Sequence, residues 1–289
     1  MKHSIVSGRD LSRKNVEFYK EEGYLIAPGL MAVEDIGILK KEAVQIFRGN
    51  REHVDGLMDV QGLPDDEVLK KYVAIHFPHK ISRAVENYLS HPGITGILTG
   101  IVGPNVKCMQ SMLFVKGPGK AGQSWHQDEF YIPTRDRSLV GAWIAIDDAT
   151  VDNGCLWIVP GSHKSGILFR RVPSNSSEYA DVDTVDVSAL SADQLMPVEV
   201  EKGSVVFFNG YTLHSSRRNV TKDCFRMALV NHYMSAESLL PWDQDGKLQP
   251  TEDLRDIVMV AGMDPYAWKG ITDLNKPYLR PEILKIKTQ

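Results

Sequence analysis

The chain has 289 residues, 43% hydrophobic and 24% charged, with a formal net charge of −4. This ordinary globular composition carries no basic run that would point to nucleic acid or an anionic membrane, no apolar stretch fit to cross a bilayer, and no signal-peptide pattern. Its three cysteines, Cys108, Cys155 and Cys224, stand too far apart for a zinc ribbon or disulfide framework, so a cytoplasmic setting is expected.

Residues 1–11 read as a polar lead-in. Residues 12–22 place Val16 and Tyr19 at helical spacing, and Gly23 stops that helix. Tyr24–Ala27 reads as a short strand ended by Pro28-Gly29. Over Val33–Phe47, the residues Ile36, Leu39, Ala43, Ile46 and Phe47 repeat near a 3.6 period, which predicts an amphipathic helix. Residues 49–66 are rich in Gly and Asp and are expected to form a mobile surface loop. One further helix is expected over about 81–98.

After Asn105 the texture changes to strands and turns. Strands are expected over 106–115, 140–146, 155–159, 204–208 and 225–233, with a turn at Pro160-Gly161-Ser162-His163. Residues 165–197 are polar and poorly periodic and read as a loop or lid. Helices first and short strands afterwards predict a mainly β fold, a double-sheet jelly roll with N-terminal helices outside it. A single domain over 1–289 is expected, with its core at about 16–234. The tail, 235–289, should pack down through Trp242, Tyr266 and Trp268.

His126 and Asp128 lie two residues apart in Gln-Ser-Trp-His-Gln-Asp-Glu-Phe-Tyr, residues 123–131. On a strand, such a pair would share one face. A second histidine from a neighbouring strand would complete a two-histidine, one-carboxylate set, which suits non-haem iron(II) and leaves positions open. His53 and Asp55 repeat the spacing but lack flanking strands to hold them. His214, which follows the apolar run 205–213, can reach inward. Period two puts Arg226, Ala228, Val230 and His232 on one face. A buried arginine there needs an anion, and a dicarboxylate held by the guanidinium would serve.

With these residues in place, the chain resembles the phytanoyl-CoA dioxygenase family of iron(II)- and 2-oxoglutarate-dependent oxygenases. The resemblance is carried by Gly103-Pro104-Asn105, Gln110-Ser111-Met112, Trp125-His126-Gln127-Asp128, Ala142-Trp143-Ile144-Ala145, Asn153-Gly154-Cys155-Leu156, Pro160-Gly161-Ser162-His163, and His214 with Arg226. Glu21-Glu22-Gly23-Tyr24-Leu25 also fits. The resemblance implies a double-stranded β-helix, a cupin-like jelly roll. It implies His126, Asp128 and His214 as iron ligands and Arg226 as partner of the far carboxylate of 2-oxoglutarate, assisted by Ser216. It places Gln110, Met112 and Trp143 around the co-substrate, although some relatives carry histidine where this chain has Gln110. Trp143 reads equally well as a packing residue. The implied reaction uses Fe(II), 2-oxoglutarate and O2, hydroxylates a C–H bond of a small organic metabolite, and releases succinate and CO2. Asp128 argues against a halogenase, where a small residue stands at that position.

Within Cys108, Gln110, Met112 and Phe114, period two puts all four on one face. His76, Lys80, Trp125, Glu129 and Tyr131 are candidates to meet the substrate. His232 is expected to support the site, not to react. Lys116, Arg135, Arg137, Arg170 and Arg171 read mostly as solvated surface charge. No basic cluster of the kind a CoA phosphate would favour is evident, so a smaller metabolite is expected. Segments 48–67 and 165–198 are candidate lids. Two other classes fit part of the pattern: a catalytically silent jelly roll that binds a ligand, and a metal-dependent cupin-like enzyme that uses no oxo-acid.

Overall fold

A computed structural model describes residues 5–6, 11–240 and 253–282, which leaves Trp242 outside the described residues. Helix α1 (Arg13–Glu22) starts where Ser12 Oγ accepts the Asn15 amide at 3.2 Å and Asn15 Oδ1 accepts the Ser12 amide at 3.0 Å. Such a cap contributes about 1 kcal/mol. Gly23 ends the helix at φ 80°, donating its amide to the Tyr19 carbonyl, and β1 (Tyr24–Ala27) follows. Helix α2 (Val33–Phe47) buries the Ile36, Leu39, Ala43, Ile46 and Phe47 stripe.

Segment 49–64 is the expected surface loop, fastened at a few points. Val54 and Val60 are buried, and Asp55 bridges to Tyr278. Helix α3 (Asp65–Lys70) and strand β2 (Tyr72–His76) follow. The helix expected over 81–98 is two, α4 (Arg83–Leu89) and α5 (Pro92–Ile101). Pro92 lacks the amide needed to continue α4 but suits the first turn of α5, where His91 Nδ1 accepts the Gly93 amide.

The remaining strands are β3 (Val106–Lys116), β4 (Val140–Ala145), β5 (Leu156–Ile158), β6 (Arg171–Pro173), β7 (Asp183–Val185), β8 (Met196–Val198), β9 (Val205–Asn209), β10 (His214–Ser216), β11 (Arg226–Ser235), β12 (Val258–Ala261) and β13 (Tyr278–Pro281). The expected loop 165–197 thus holds a two-stranded hairpin, β6–β7, and leads into β8. The large sheet runs β1-β9-β4-β11-β3-β2-β13, with β12 also paired to β3, and a small sheet runs β10-β5-β8. This mainly β, antiparallel two-sheet arrangement is the expected jelly roll.

Alternation along the strands divides the core. Leu25, Ala142, Ile144, Val205, Phe207 and Leu229 pack towards the helices. Trp143, Ala145, Val206, Phe208, Ala228 and Val230 face the small sheet. One expectation fails: Cys108 packs on the helix side with Leu113 and Val115, not with Gln110, Met112 and Phe114. The cause is a bulge. The β11 pairing steps from His232↔Gln110 to Tyr233↔Cys108, so Met109 is an extra residue and the period-two phase reverses across it.

The C-terminal segment packs down through β12, β13 and buried ions; of the expected aromatics, Tyr266 donates its hydroxyl to the Glu237 carbonyl at 3.1 Å, while Trp268 is 81% exposed. No helix among the described residues is long and apolar enough to cross a membrane.

Candidate metal centre and co-substrate pocket

His126 and His214 face each other across a reciprocal backbone pair, His126 N to His214 O at 3.0 Å and His214 N to His126 O at 3.1 Å. Each ring is also pinned to a main-chain carbonyl. His126 Nδ1 lies 2.6 Å from Ser124 O, and His214 Nδ1 lies 2.9 Å from Thr212 O. A carbonyl only accepts, so both Nδ1 atoms carry a proton and each ring turns its Nε2 towards the other two groups.

Asp128 reaches the same point by another route than the one expected. The chain leaves extended geometry after Gln127, and Asp128 opens a single 3-10 turn, Asp128–Phe130. Its Oδ1 lies 3.7 Å from His126 Nε2 and 3.5 Å from His214 Nε2. The three ligand atoms all lie within 4.8 Å of one another. Burial, with His214 adding, pulls the His126 imidazole down to about 3, so it stays neutral. Burial alone would raise the Asp128 carboxyl; His214 and His232 outweigh it and hold the group well below the usual carboxylate range. Burial alone would lower the His214 imidazole; Asp128 outweighs it and raises the group, so a metal ion arriving at the cluster takes the place of its Nε2 proton. Two imidazoles and one carboxylate, aimed at one point, fit non-haem iron(II).

The triad borders a cavity of about 930 Å³, also lined by Met112, Phe114, Trp143, Ser216 and Arg226. Arg226 is 5% exposed. Its Nε donates to the Gly154 carbonyl at 3.1 Å and its guanidinium carbon lies 5.6 Å from the Trp143 ring centre. Among the described residues no carboxylate pairs with it. Burial lowers the guanidinium only to about 10, so it remains a cation at neutral pH. A buried cation without an acid partner fits a carboxylate brought by a ligand.

The other candidates scatter. Met112, Trp143 and Ser216 line the cavity, while Gln110 is absent from its wall. His76 stacks on Tyr278 at 4.3 Å between ring centres, and neither of its buried nitrogens has a partner. Lys80 turns away from the cavity and bonds Asp256 at 2.7 and 2.8 Å and Asp273 at 2.7 Å. Trp125 packs into the inter-sheet core. Glu129 Oε1 accepts the Thr134 hydroxyl at 2.7 Å and serves its own turn. Tyr131 sets its ring edge-on to His126, 6.2 Å between centres. The decoy pair His53 and Asp55 is 89% and 85% exposed.

Two site residues escaped the sequence reading. Lys116 is buried in the cavity wall and not solvated, although it shares the period-two face of Met112 and Phe114. Gln127 clamps the segment after the triad, donating to Ile167 O and Tyr211 O and accepting the Phe169 amide. Nor is the cavity free of other basic residues: Arg218 and Arg280 line it, as does Lys120, which pairs with Glu282 at 3.4 Å. Of the candidate lids, 174–182 lines the cavity and 48–67 does not.

Comparison with known proteins agrees with this geometry. The family model described as Phytanoyl-CoA dioxygenase (PhyH) matches residues 19–228. A Rattus norvegicus phytanoyl-CoA dioxygenase domain-containing protein 1 is 31% identical, over 84% of this chain and 97% of that protein. The Danio rerio protein of the same name is 27% identical over the same shares, 84% and 97%. Among solved structures, the non-haem α-ketoglutarate-dependent carbocyclase SnoK from nogalamycin biosynthesis superposes with a TM-score of 0.64 at 27% identity, covering 87% of this chain and 97% of its own. EvdO2 from Micromonospora carbonacea var. aurantiaca, complexed with 2-oxoglutarate, shares the fold with a TM-score of 0.61 at 21% identity, over 83% and 96% of the two chains.

Fold, donor set and relatives together define an oxygenase of the non-haem iron, 2-oxoglutarate-dependent class. Within that class the chain belongs to the phytanoyl-CoA dioxygenase family.

Proposed function

We propose that this oxygenase hydroxylates a C–H bond of a small organic molecule bearing an anionic group, with conversion of 2-oxoglutarate to succinate and CO2. The observation that carries the reading is the juxtaposition, in one cavity, of the His126–Asp128–His214 cluster and the acid-free cation Arg226. Bound at the cluster, iron with 2-oxoglutarate supplies oxygen activation coupled to oxidative decarboxylation. The chain's own residues supply the rest. His126 and His214 present their Nε2 atoms to the metal because Ser124 O and Thr212 O hold their Nδ1 protons. Arg226 fixes the far carboxylate, Trp143 shields that ion pair, and segment 174–182 excludes water from the mouth. Arg218 and Arg280 at the cavity favour a substrate carrying a carboxylate or phosphate.

The direct test adds Fe(II) and then 2-oxoglutarate to the protein under anaerobic conditions. A weak visible metal-to-ligand band is expected, and Asp128→Ala should lose it. A panel of anionic metabolites is then screened by succinate release under air, with His126→Ala as control. Absence of both the band and substrate-stimulated succinate would sink the reading.

A further inference from the structure

Lys116 stands beside Arg226 in this pocket and is held in an unusual way: burial, with Arg226 adding, pulls its ammonium well below the usual lysine range. Its ammonium has three N–H donors, and neutral oxygens take them all: Ser216 Oγ at 2.8 Å, Arg217 O at 2.7 Å and Gly154 O at 3.2 Å. Among the described residues no carboxylate stands within ion-pair distance of it. Its cross-strand partner in the β3–β11 register is Arg226. Two cations directly opposite on paired strands repel, and both are buried. They also share one acceptor, since Gly154 O receives Lys116 Nζ and Arg226 Nε. Gly154 suits the place: at φ +83° an added Cβ would lie 2.5 Å from Arg217 O and 2.9 Å from Lys116 Nζ.

Ser216 shows what the arrangement does. Its Oγ accepts from Lys116 Nζ at 2.8 Å and from the Gln123 amide at 3.1 Å. Both lone pairs are used, so the hydroxyl has only its O–H left to offer, and Ser216 lines the cavity. No acceptor for that proton is found among the described residues. We infer that Lys116 is a positioning residue for the far carboxylate of the co-substrate. It fixes Ser216 as a donor into the cavity and holds an amine beside Arg226, where an arriving carboxylate favours the charged form. The pocket thereby selects a 2-oxo dicarboxylate over a 2-oxo monocarboxylate. This inference rests on the co-substrate reading above.

The experiment measures binding, not turnover. Anaerobic Fe(II)-loaded protein is titrated with 2-oxoglutarate and, separately, with pyruvate, which keeps the chelating head but lacks the far carboxylate. Lys116→Met should weaken 2-oxoglutarate by on the order of 30-fold while pyruvate moves less than about threefold, because only the former meets the charge-assisted donors. Lys116→Arg should recover most of the loss. Ser216→Ala, which leaves the amine in place, should cost about five- to tenfold, again for 2-oxoglutarate alone. It decides the matter if Lys116→Met does not fold. Adding Lys116→Met to Ser216→Ala should cost less than the product of the two effects. Equal losses for both ligands, or no loss in either variant, would overturn the inference. A wild-type protein that takes Fe(II) but binds neither ligand would overturn the co-substrate reading itself, and this inference with it.

Discussion

His232 Nε2 lies 3.1 Å from Asp128 Oδ2, so the iron-facing carboxylate is held from behind by a ring on a different strand. An ionised carboxylate only accepts, so His232 donates the proton. Asp128 then has Oδ2 fixed by His232 and Oδ1 turned to His126 and His214. Removing such an orienting partner typically weakens metal binding by about 10–100-fold. His232→Ala should weaken Fe(II) or a surrogate divalent ion by that amount, measured by competition against a chromophoric chelator. An unchanged metal affinity would mean that the turn at Asp128–Phe130 positions the carboxylate unaided.

Arg226→Ala should separate the metal from the co-substrate. Arg226 bonds to none of the three ligands among the described residues; its Nε donates to the Gly154 carbonyl at 3.1 Å. Loss of a buried cation opposite a ligand carboxylate costs about 3 kcal/mol, which is roughly a 150-fold weakening. The variant is expected to keep its Fe(II) affinity within about threefold while 2-oxoglutarate binding, followed by calorimetry, drops by that factor. Retained 2-oxoglutarate binding would favour a cupin-like enzyme that needs no oxo-acid.

A buried histidine away from the centre makes the fold acid-sensitive. His79 Nδ1 meets Ser111 Oγ at 2.6 Å, and burial, with Lys80 adding, pulls the imidazole from 6.5 to about 4. Above pH 6.5 the group is neutral folded or unfolded and contributes no pH slope. Between 6.5 and about 4 the unfolded chain takes up a proton that the folded chain refuses, so stability falls as pH falls. At about 1.4 kcal/mol per unit, the loss approaches roughly 3 kcal/mol by the lower end. Urea unfolding of His79→Gln between pH 4 and 7 should show an acid limb shallower by about one proton. An unaltered limb would assign the acid sensitivity to other groups, such as His76, which burial lowers to about 3.

Much of this was legible in the residues, and the misses share physical causes. Alternation placed Met112, Phe114, Arg226, Val230 and His232 on the cavity side because one sheet face is wholly buried and any register slip would expose it. The same rule failed at Cys108, since a one-residue bulge leaves no compositional mark. His126 and Asp128 were found by spacing, yet they meet through a 3-10 turn and not along a strand. Lys116 was discounted because lysine is rarely buried; its position on a cavity-facing strand was the better guide. The basic lining was invisible because Lys120, Arg218 and Arg280 are far apart in sequence and are collected only by the fold.

Lys80, expected near the substrate, anchors the C-terminal segment, and that role has a readable consequence. Asp256 accepts Lys80 Nζ at 2.7 and 2.8 Å, together with the Asn275 amide at 2.7 Å and Asn275 Nδ2 at 2.8 Å. The two side chains are only 16% and 8% exposed, so the pair is shielded from solvent. Downstream of this lock, β13 pairs with β2, and Arg280, Pro281 and Glu282 form part of the cavity wall. Lys80→Met leaves Asp256 charged and unpaired, a loss of about 3 kcal/mol. That energy falls first on the segment the pair holds, so residues 253–282 should gain amide exchange and protease cleavage before the jelly roll does. Lys80→Met combined with Asp256→Asn should recover part of the loss, because no lone charge then remains buried. Binding of 2-oxoglutarate should stay within about threefold in both variants, since Arg226, Ser216 and Lys116 sit on β11, β10 and β3, away from the lock. Uniform destabilisation of the whole chain, with no local rise in exchange over 253–282, would instead make the Lys80–Asp256 pair part of the core's global stability.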